Sequence, residues 1–421
     1  MDLPVALLAS WFALHLGGEE PNLDSPAPAP AWSQWRGPDR DGAAPGPEWP
    51  ESLGDDHLRP RWRVQDLGPS YSGPVTDGEL LFTTATVDRE REVVQAYALE
   101  GGELVWETDW AGAMQVPFFA QKNGSWIRST PTVVDGVLYV AGIRDVLVAM
   151  NASDGEILWR RDFPGEMERP LPNFGTVCSP LVVDGRLYLQ AGAALLALDA
   201  QTGETVWESL RDEGGMMGSA FSSPVLAEVE GEAQLLVQTR AELCAVSPED
   251  GDLLWNVAVP TFRGMNILTP QPWGDAIFTS AYGGRGHLYE PGRGEDGAWE
   301  IGERWENHTQ AYMTSPVVID DHAYLFLRSN RFTCVRLSDG EVAWTTPPTG
   351  DEYWSLVYQG DRILTLSDTG RLRLIAADPK EYRVLSEREL EGEANTWAHL
   401  AVWDGHIAVR ELHGLSLLRW E

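Results

Sequence analysis

Short apolar, largely β-branched runs follow one another along most of this chain, and tight turns divide them. The segments STPTVVDGVLYVAG from Ser129, SPLVVDGRLYLQAG from Ser179 and SPVVIDDHAYLFLR from Ser315 show the pattern. Two apolar runs flanking an Asp-Gly predict a tight hairpin, because Gly accepts positive φ there. A second element recurs behind each hairpin. AYALEGGELVW (Ala96–Trp106), AMNASDGEILW (Ala149–Trp159), ALDAQTGETVW (Ala197–Trp207), AVSPEDGDLLW (Ala245–Trp255) and CVRLSDGEVAW (Cys334–Trp344) are near copies. Each opens on a small residue or Cys, carries a Gly and ends on Trp. That Gly marks a second hairpin. One unit is therefore four short strands, read as A (Thr132–Val134), B (Leu138–Gly142), C (Val146–Met150) and D (Ile157–Arg160).

The unit recurs about every 40–57 residues, the period of propeller blades. No sustained 3.6-residue periodicity supports a helical solenoid. Eight units begin near Ser72, Ser129, Ser179, Ser222, Leu268, Thr314, Ser355 and His399. The last offers A (His399–Trp403), B (Ile407–Arg410) and C (Leu415–Leu418) but no D. The run Pro60–Asp66 supplies one, with Trp62 where a D strand carries its Trp. The fold class is all-β: an eight-bladed β-propeller of four-stranded blades. The ring is closed by an N-terminal strand pairing with the three C-terminal ones, which removes exposed sheet edges. The once-per-blade Trp residues are expected to pack between neighbouring blades, each indole N–H finding a partner.

Ahead of the ring, Leu3–Gly18 has the length of a signal-peptide apolar core and is short for a membrane span. Asp2 stands where such a segment usually carries positive charge. The organisation is read as a signal segment over 1–18, a Pro/Ala-rich spacer and leader over 19–58, and a propeller over 59–421. That places the protein in the periplasm or outside the cell, with no membrane span in the mature form. The alternative is a cytoplasmic protein with an apolar leader.

Charge narrows the partners. The formal net charge is −33, with only Lys122 and Lys380 as lysines. Such an acidic chain is not a nucleic-acid binder. Cys178, Cys244 and Cys334 form no CxxC pair and are read as buried thiols rather than a disulfide framework or metal site. No metal site is predicted. No Ser-His-Asp set, P-loop, HExxH or dinucleotide fingerprint is present.

Strand alternation sorts the loops onto two faces. The A–B and C–D turns gather Asp77, Asp135, Asp154, Asp184, Asp250, Asp339, Asp361 and Asp404, explained by turn chemistry. The B–C loops and D–A connections gather Arg, aromatic, Asn and His residues. The candidate ligand-binding set there is Trp126, Arg128, Arg144, Arg240, Arg263, Asn266, Tyr282, Arg285, His308, Arg328, Trp354, Trp397 and His399. Arginine recognises carboxylate or phosphate with a planar fork, and aromatics beside it stack on sugars or flat rings. The opposing reading pairs these arginines with Glu and Asp of adjacent blades. Gln115–Asn123 is read as a loop that plugs the channel.

The Trp-terminated motif, best matched by Ala197–Trp207 to A-x-D-x-x-T-G-x-x-x-W, resembles the quinoprotein-type (pyrroloquinoline-quinone-like repeat) propellers. The leader WSQWRGPDRDG (Trp32–Gly42) is similar to a segment of exported propellers from planctomycete-like bacteria. The resemblance implies the propeller fold. It covers both quinone-dependent alcohol and sugar dehydrogenases and a non-catalytic outer-membrane assembly scaffold. The dehydrogenases use an adjacent Cys-Cys pair over the quinone, and Glu, Asn and Asp around calcium. This chain has no adjacent cysteines and no segment matching that set. The expected function is a non-catalytic envelope scaffold engaging a protein or polysaccharide partner, or a small anionic ligand. No cofactor is expected. The alternative is a quinone-dependent oxidoreductase, or another enzyme acting on an anionic or sugar substrate at the ring mouth.

Overall fold

The computed structural model of the protein describes residues 31–216, 218, 221–392 and 395–421. The predicted signal segment and the spacer up to residue 30 lie outside the described residues. Eight four-stranded antiparallel sheets form the eight blades. Blade 2 runs through Thr132–Val134, Val137–Ala141, Val146–Asn151 and Ile157–Asp162, matching the reading to within two residues at each end. Among the described residues no helix is long and apolar enough to cross a membrane.

The ring closes as the sequence predicts. Leu58–Val64 forms the outermost strand of blade 8 and pairs antiparallel with Leu415–Trp420, from Leu58 opposite Trp420 to Val64 opposite Leu415. Asp135, Asp184 and Asp404 hold positive φ ahead of Gly in their turns, and Asp154, Asp250 and Asp339 cap backbone N–H groups two residues on. Turn geometry accounts for these carboxylates.

The Trp series staples most blades to the next; Trp255 instead donates to Gln234 of its own blade, and the outer strand of blade 7, Val384–Glu389, carries no Trp. Trp106 donates its indole N–H to the Ala152 carbonyl at 2.9 Å, Trp159 to Ala200 at 3.1 Å, Trp207 to Pro248 at 3.2 Å and Trp305 to Leu337 at 2.6 Å. Trp62 on the closing strand does the same to Leu99 at 2.8 Å. Each of these rings lies flat against the C–D turn glycine of the following blade. A Cβ on Gly203 would sit 2.7 Å from the Trp159 ring, and one on Gly155 2.4 Å from Trp106. The repeating Gly and Trp are thus two halves of one contact. Burying an indole this way is worth, as an upper bound, roughly 4–6 kcal/mol of transfer free energy.

The leader is part of the ring. Trp32 and Trp49 are 1% and 2% exposed. Residues 32–45 enter the axial channel from the A–B face. The Trp32 carbonyl accepts from Thr76 N–H, Ser33 from Val133, and Pro45 from Asp404. At the far tip, two arginines lie wholly inside the protein. Arg40 donates to the carbonyls of Ser179, Pro180 and Pro224, joining blades 3 and 4, while Arg36 donates to Asp41 and Pro316. Burial lowers the pKa of Arg36 to about 10 and of Arg40 to about 9, so both stay charged at neutral pH. The channel is therefore plugged by residues 32–45, not by Gln115–Asn123. The latter contributes a short 3-10 turn, Phe118–Asn123, to the wall above.

Candidate functional site

Every A strand begins near the axis, and a hydroxyl residue followed by Pro marks the spot in five of the blades: Thr130, Ser179, Ser223, Thr269 and Ser315. These hydroxyls are strung together around the axis. Gly73 N–H donates to Thr130 Oγ1 at 3.0 Å, Thr130 N–H to Ser179 Oγ at 3.0 Å, and Ser179 N–H to Ser223 Oγ at 2.9 Å. Ser223 N–H continues to Thr269 Oγ1 at 3.3 Å, and Thr269 N–H to Ser315 Oγ at 3.2 Å. The direction reverses at the seam, where Leu400 N–H donates back to Ser355 Oγ at 3.0 Å. Gly73 is required there, since a Cβ would lie 2.7 Å from the His399 carbonyl oxygen.

This ring of hydroxyls, with Trp35 of the leader and His399, floors a cavity of about 750 Å³. It opens on the B–C/D–A face. All eight D–A connections contribute to it, through Tyr71, Arg128, Phe174, Phe221, Arg263, Tyr312, Tyr353 and Trp397 among others. Two aromatic arcs form its walls. On one side Trp126 meets Tyr71 edge-on at 5.3 Å, Tyr71 meets Trp397 at 5.9 Å, and Trp397 stacks on Tyr353 at 5.4 Å and 12°. Opposite, Phe174 and Phe221 pair at 5.8 Å, and Phe262, Tyr282 and Tyr312 form a run at 5.5 and 5.0 Å.

Three arginines serve the cavity, and no described lining residue is a carboxylate. Arg240 is 7% exposed. Its guanidinium lies 4.5 Å over Phe221 and donates to the Gly264, Gly218 and Arg263 carbonyls. Burial lowers its pKa, and Asp212 partly offsets this. Arg128 donates to the Gly124 carbonyl at 2.6 Å, and burial brings its pKa down to about 10. Arg263 is exposed at the rim, over Phe262 at 5.1 Å, with a left-handed φ of 53°. His399 is held down to about 3 by burial and by the Arg36 guanidinium beneath it, so it stays neutral at every physiological pH. A histidine so depressed is a poor general base near pH 7.

Of the thirteen predicted residues, Arg128, Arg240, Arg263, Trp397 and His399 line the cavity. Trp126 and Tyr282 stand behind the lining, in contact with Tyr71 and Tyr312, and Arg328 lies 4.3 Å over the Tyr282 ring. The others are elsewhere. Arg144 faces Asp162 at 3.7 Å and Arg285 faces Glu306 at 3.5 Å; both pairs lie within one blade and do not tie adjacent blades together. Trp354 is buried, donates to Asp351 Oδ2 at 2.8 Å and stacks on Phe326 at 4.8 Å; it is core. Asn266 is buried and reaches the Val259 carbonyl. His308 is exposed and does not line the cavity. The sequence reading missed Trp35, Tyr71, Phe174, Phe221, Tyr312 and Tyr353, though most lie in connections it had singled out. The recurring Ser/Thr-Pro was the readable signal for the floor.

The described lining offers no nucleophile–base pair. It also fits poorly the calcium-held quinone of the dehydrogenases. No carboxylate stands there to bind the cation, and the three cysteines are buried in separate blades, their thiols pushed up to about 12 by burial. Among the described residues one group, His287, Glu303 and Glu306 of blade 5, has metal-ligand spacing. His287 Nδ1 already bonds Glu303 Oε1 at 2.6 Å, and none of the three lines the cavity.

Eight four-stranded blades with Gly–Trp staples, closed by an N-terminal strand, define a β-propeller of pyrroloquinoline-quinone-like repeats. The family model described as outer membrane protein assembly factor BamB matches residues 90–346, more than half of the chain, and the chain belongs to that family. It is 22% identical over 334 residues to the outer membrane protein assembly factor BamB of Yersinia pestis, covering 76% of this chain and 67% of that one. It is 24% identical over 267 residues to the quinohemoprotein alcohol dehydrogenase ADH-IIG of Pseudomonas putida, covering 56% and 34%. The matches thus take in a third to two thirds of these relatives' own length. The crystal structure of BamB from Moraxella catarrhalis shares the fold, with a TM-score of 0.60 at 12% identity over 86% of this chain and 98% of that one.

Proposed function

We propose that this chain is a non-catalytic propeller of the cell envelope that engages an anionic group of a protein or polysaccharide partner at the cavity mouth. The observation that carries this reading is the cavity's charge. A chain of net charge −33 places three arginines, and no carboxylate among the described lining residues, around one pocket. Its size falls in the range of ligand sites, roughly 300–1,000 Å³. Membership of a family described by an assembly factor supports a scaffold, and the poor fit to a calcium-held quinone speaks against oxidation chemistry.

Titration with polyglutamate and with a sulfated polysaccharide tests the reading. Binding of either, weakened in Arg263→Ala and unchanged in Arg285→Ala, is the expected result. Arg285 is the control because Glu306 already occupies it. Equal affinities in both variants, or no binding of either polyanion, would reject it. Incubation with pyrroloquinoline quinone and calcium tests the enzymatic alternative, since a retained chromophore would favour the dehydrogenase relatives.

A further inference from the structure

The outer strand pair of blade 5, Gly286–Arg293 and Trp299–Asn307, departs from the repeat around Trp305. In every blade the pairing of the two outer strands slips by one residue. In blade 5 the extra residue is Arg304. Residues three apart on a plain strand point to opposite faces, and a bulge between them cancels that. Glu303 therefore lies opposite Tyr289 and Glu306 opposite His287, with both carboxylates on the face that holds the imidazole. Five other blades carry Leu104, Ile157, Leu253, Val342 and Val384 at the position of Glu303. No other blade sets a histidine at the position of His287.

The three groups converge. One ring nitrogen of His287 and one oxygen of each glutamate lie within 4.8 Å of one another. The imidazole is buried and stacks flat on Tyr289, at 5.3 Å and 9°. Both glutamate side chains are half exposed and have room to swing. The Tyr289 phenol reports their shared field: burial first, then Glu303 and Glu306, push it up to about 12. Among the described residues Arg285, 3.5 Å from Glu306, is the one arginine or lysine paired with the two carboxylates. An imidazole nitrogen with two carboxylate oxygens suits a borderline divalent ion such as zinc, whereas calcium and magnesium favour oxygen alone. Zinc bonds of about 2.0–2.2 Å set tetrahedral ligand atoms about 3.4 Å apart, a small movement for exposed glutamates.

We propose that His287, Glu303 and Glu306 hold a divalent transition-metal ion of the zinc type on the flank of blade 5 that faces blade 4, with water completing its shell. That flank is fixed by Tyr289, which packs with Trp255 and Val259 of the blade 4 side. The ion takes the place of the hydrogen bond between His287 Nδ1 and Glu303 and draws Glu306 away from Arg285. The site lies outside the axial cavity and stands independently of the function proposed above.

Calorimetric titration of the metal-free full chain with zinc chloride tests this, and cobalt chloride followed by visible absorption reads the same site. One ion should bind per chain, and a large excess of calcium or magnesium should not displace it. Glu303→Gln and Glu306→Gln, checked for native unfolding midpoints, should each weaken zinc about tenfold or more. His57→Ala, which removes an exposed imidazole far along the chain, should leave zinc binding unchanged. The inference fails if no ion binds one to one, if calcium displaces zinc, or if either folded glutamine variant binds zinc as the wild type does. Weakening by His57→Ala as large as that of the glutamine variants would also overturn it, marking adventitious surface binding.

Discussion

Gly203→Ala and Gly185→Ala make a matched pair within blade 3. Gly203 has φ +73° and Gly185 +74°, so a Cβ meets the same backbone penalty at each, about 1–2 kcal/mol. Their surroundings differ. Around Gly185 there is nothing within 4 Å, whereas a Cβ on Gly203 would lie 2.7 Å from two ring atoms of Trp159. The ring has to move. It then loses its 3.1 Å bond to the Ala200 carbonyl and its contact with Tyr139, whose centroid lies 6.0 Å away. A buried hydrogen bond contributes about 1 kcal/mol and an aromatic pair about 0.5–1.5. Gly203→Ala should therefore cost about 1.5–2.5 kcal/mol more than Gly185→Ala. Urea unfolding followed by tryptophan fluorescence reads both, provided the slopes agree. A difference below about 0.5 kcal/mol would mean that the Gly–Trp contact does not hold the blades together.

Three further outcomes are expected. Burial raises the carboxyl of Glu92 from 4.5 to about 8. Between those values the folded form holds a proton the unfolded form lacks, so stability falls as pH rises, by up to about 1.4 kcal/mol per unit. From pH 7 to 8 the unfolding midpoint of wild type should drop and that of Glu92→Gln should not; parallel slopes would contradict the assignment. The thiols of Cys178, Cys244 and Cys334, raised to about 12, should resist iodoacetamide at pH 8 until urea unfolds the chain, and mass spectrometry showing rapid labelling of the native form would refute their burial. Arg40→Ala should cost about 2–4 kcal/mol, because three carbonyls of blades 3 and 4 lose their donor. A midpoint shift no larger than that of the exposed Arg304→Ala would show that the leader does not tie the ring.

The blade count and the closing strand were legible because each blade must solve the same packing problem, and Gly and Trp write the solution into most of the repeats, blade 7 with neither in its last hairpin being the exception. The site was legible only in part. Strand alternation assigns a loop to a face but not to a radius. Arg240 and Arg285 both follow B strands, yet one turns inward over Phe221 and the other pairs outward with Glu306. Trp354 looked like a loop aromatic because Glu352–Ser355 is polar at its start, but it begins an A strand and is core. The leader left no trace of its role. It repeats nothing and forms no strand, and its hold on the ring runs through two arginines and backbone carbonyls that carry no sequence signature.

That plug separates two dimensions of the cavity. Its width follows from the number of blades and cannot change without rebuilding the ring. Its depth follows from how far one short insert reaches, with Trp35 at the tip. Lengthening or trimming residues 32–45 would raise or lower the floor while every blade stayed as it is. Relatives sharing the barrel but differing in that insert would then offer pockets of equal bore and unequal depth, suited to guests of different length.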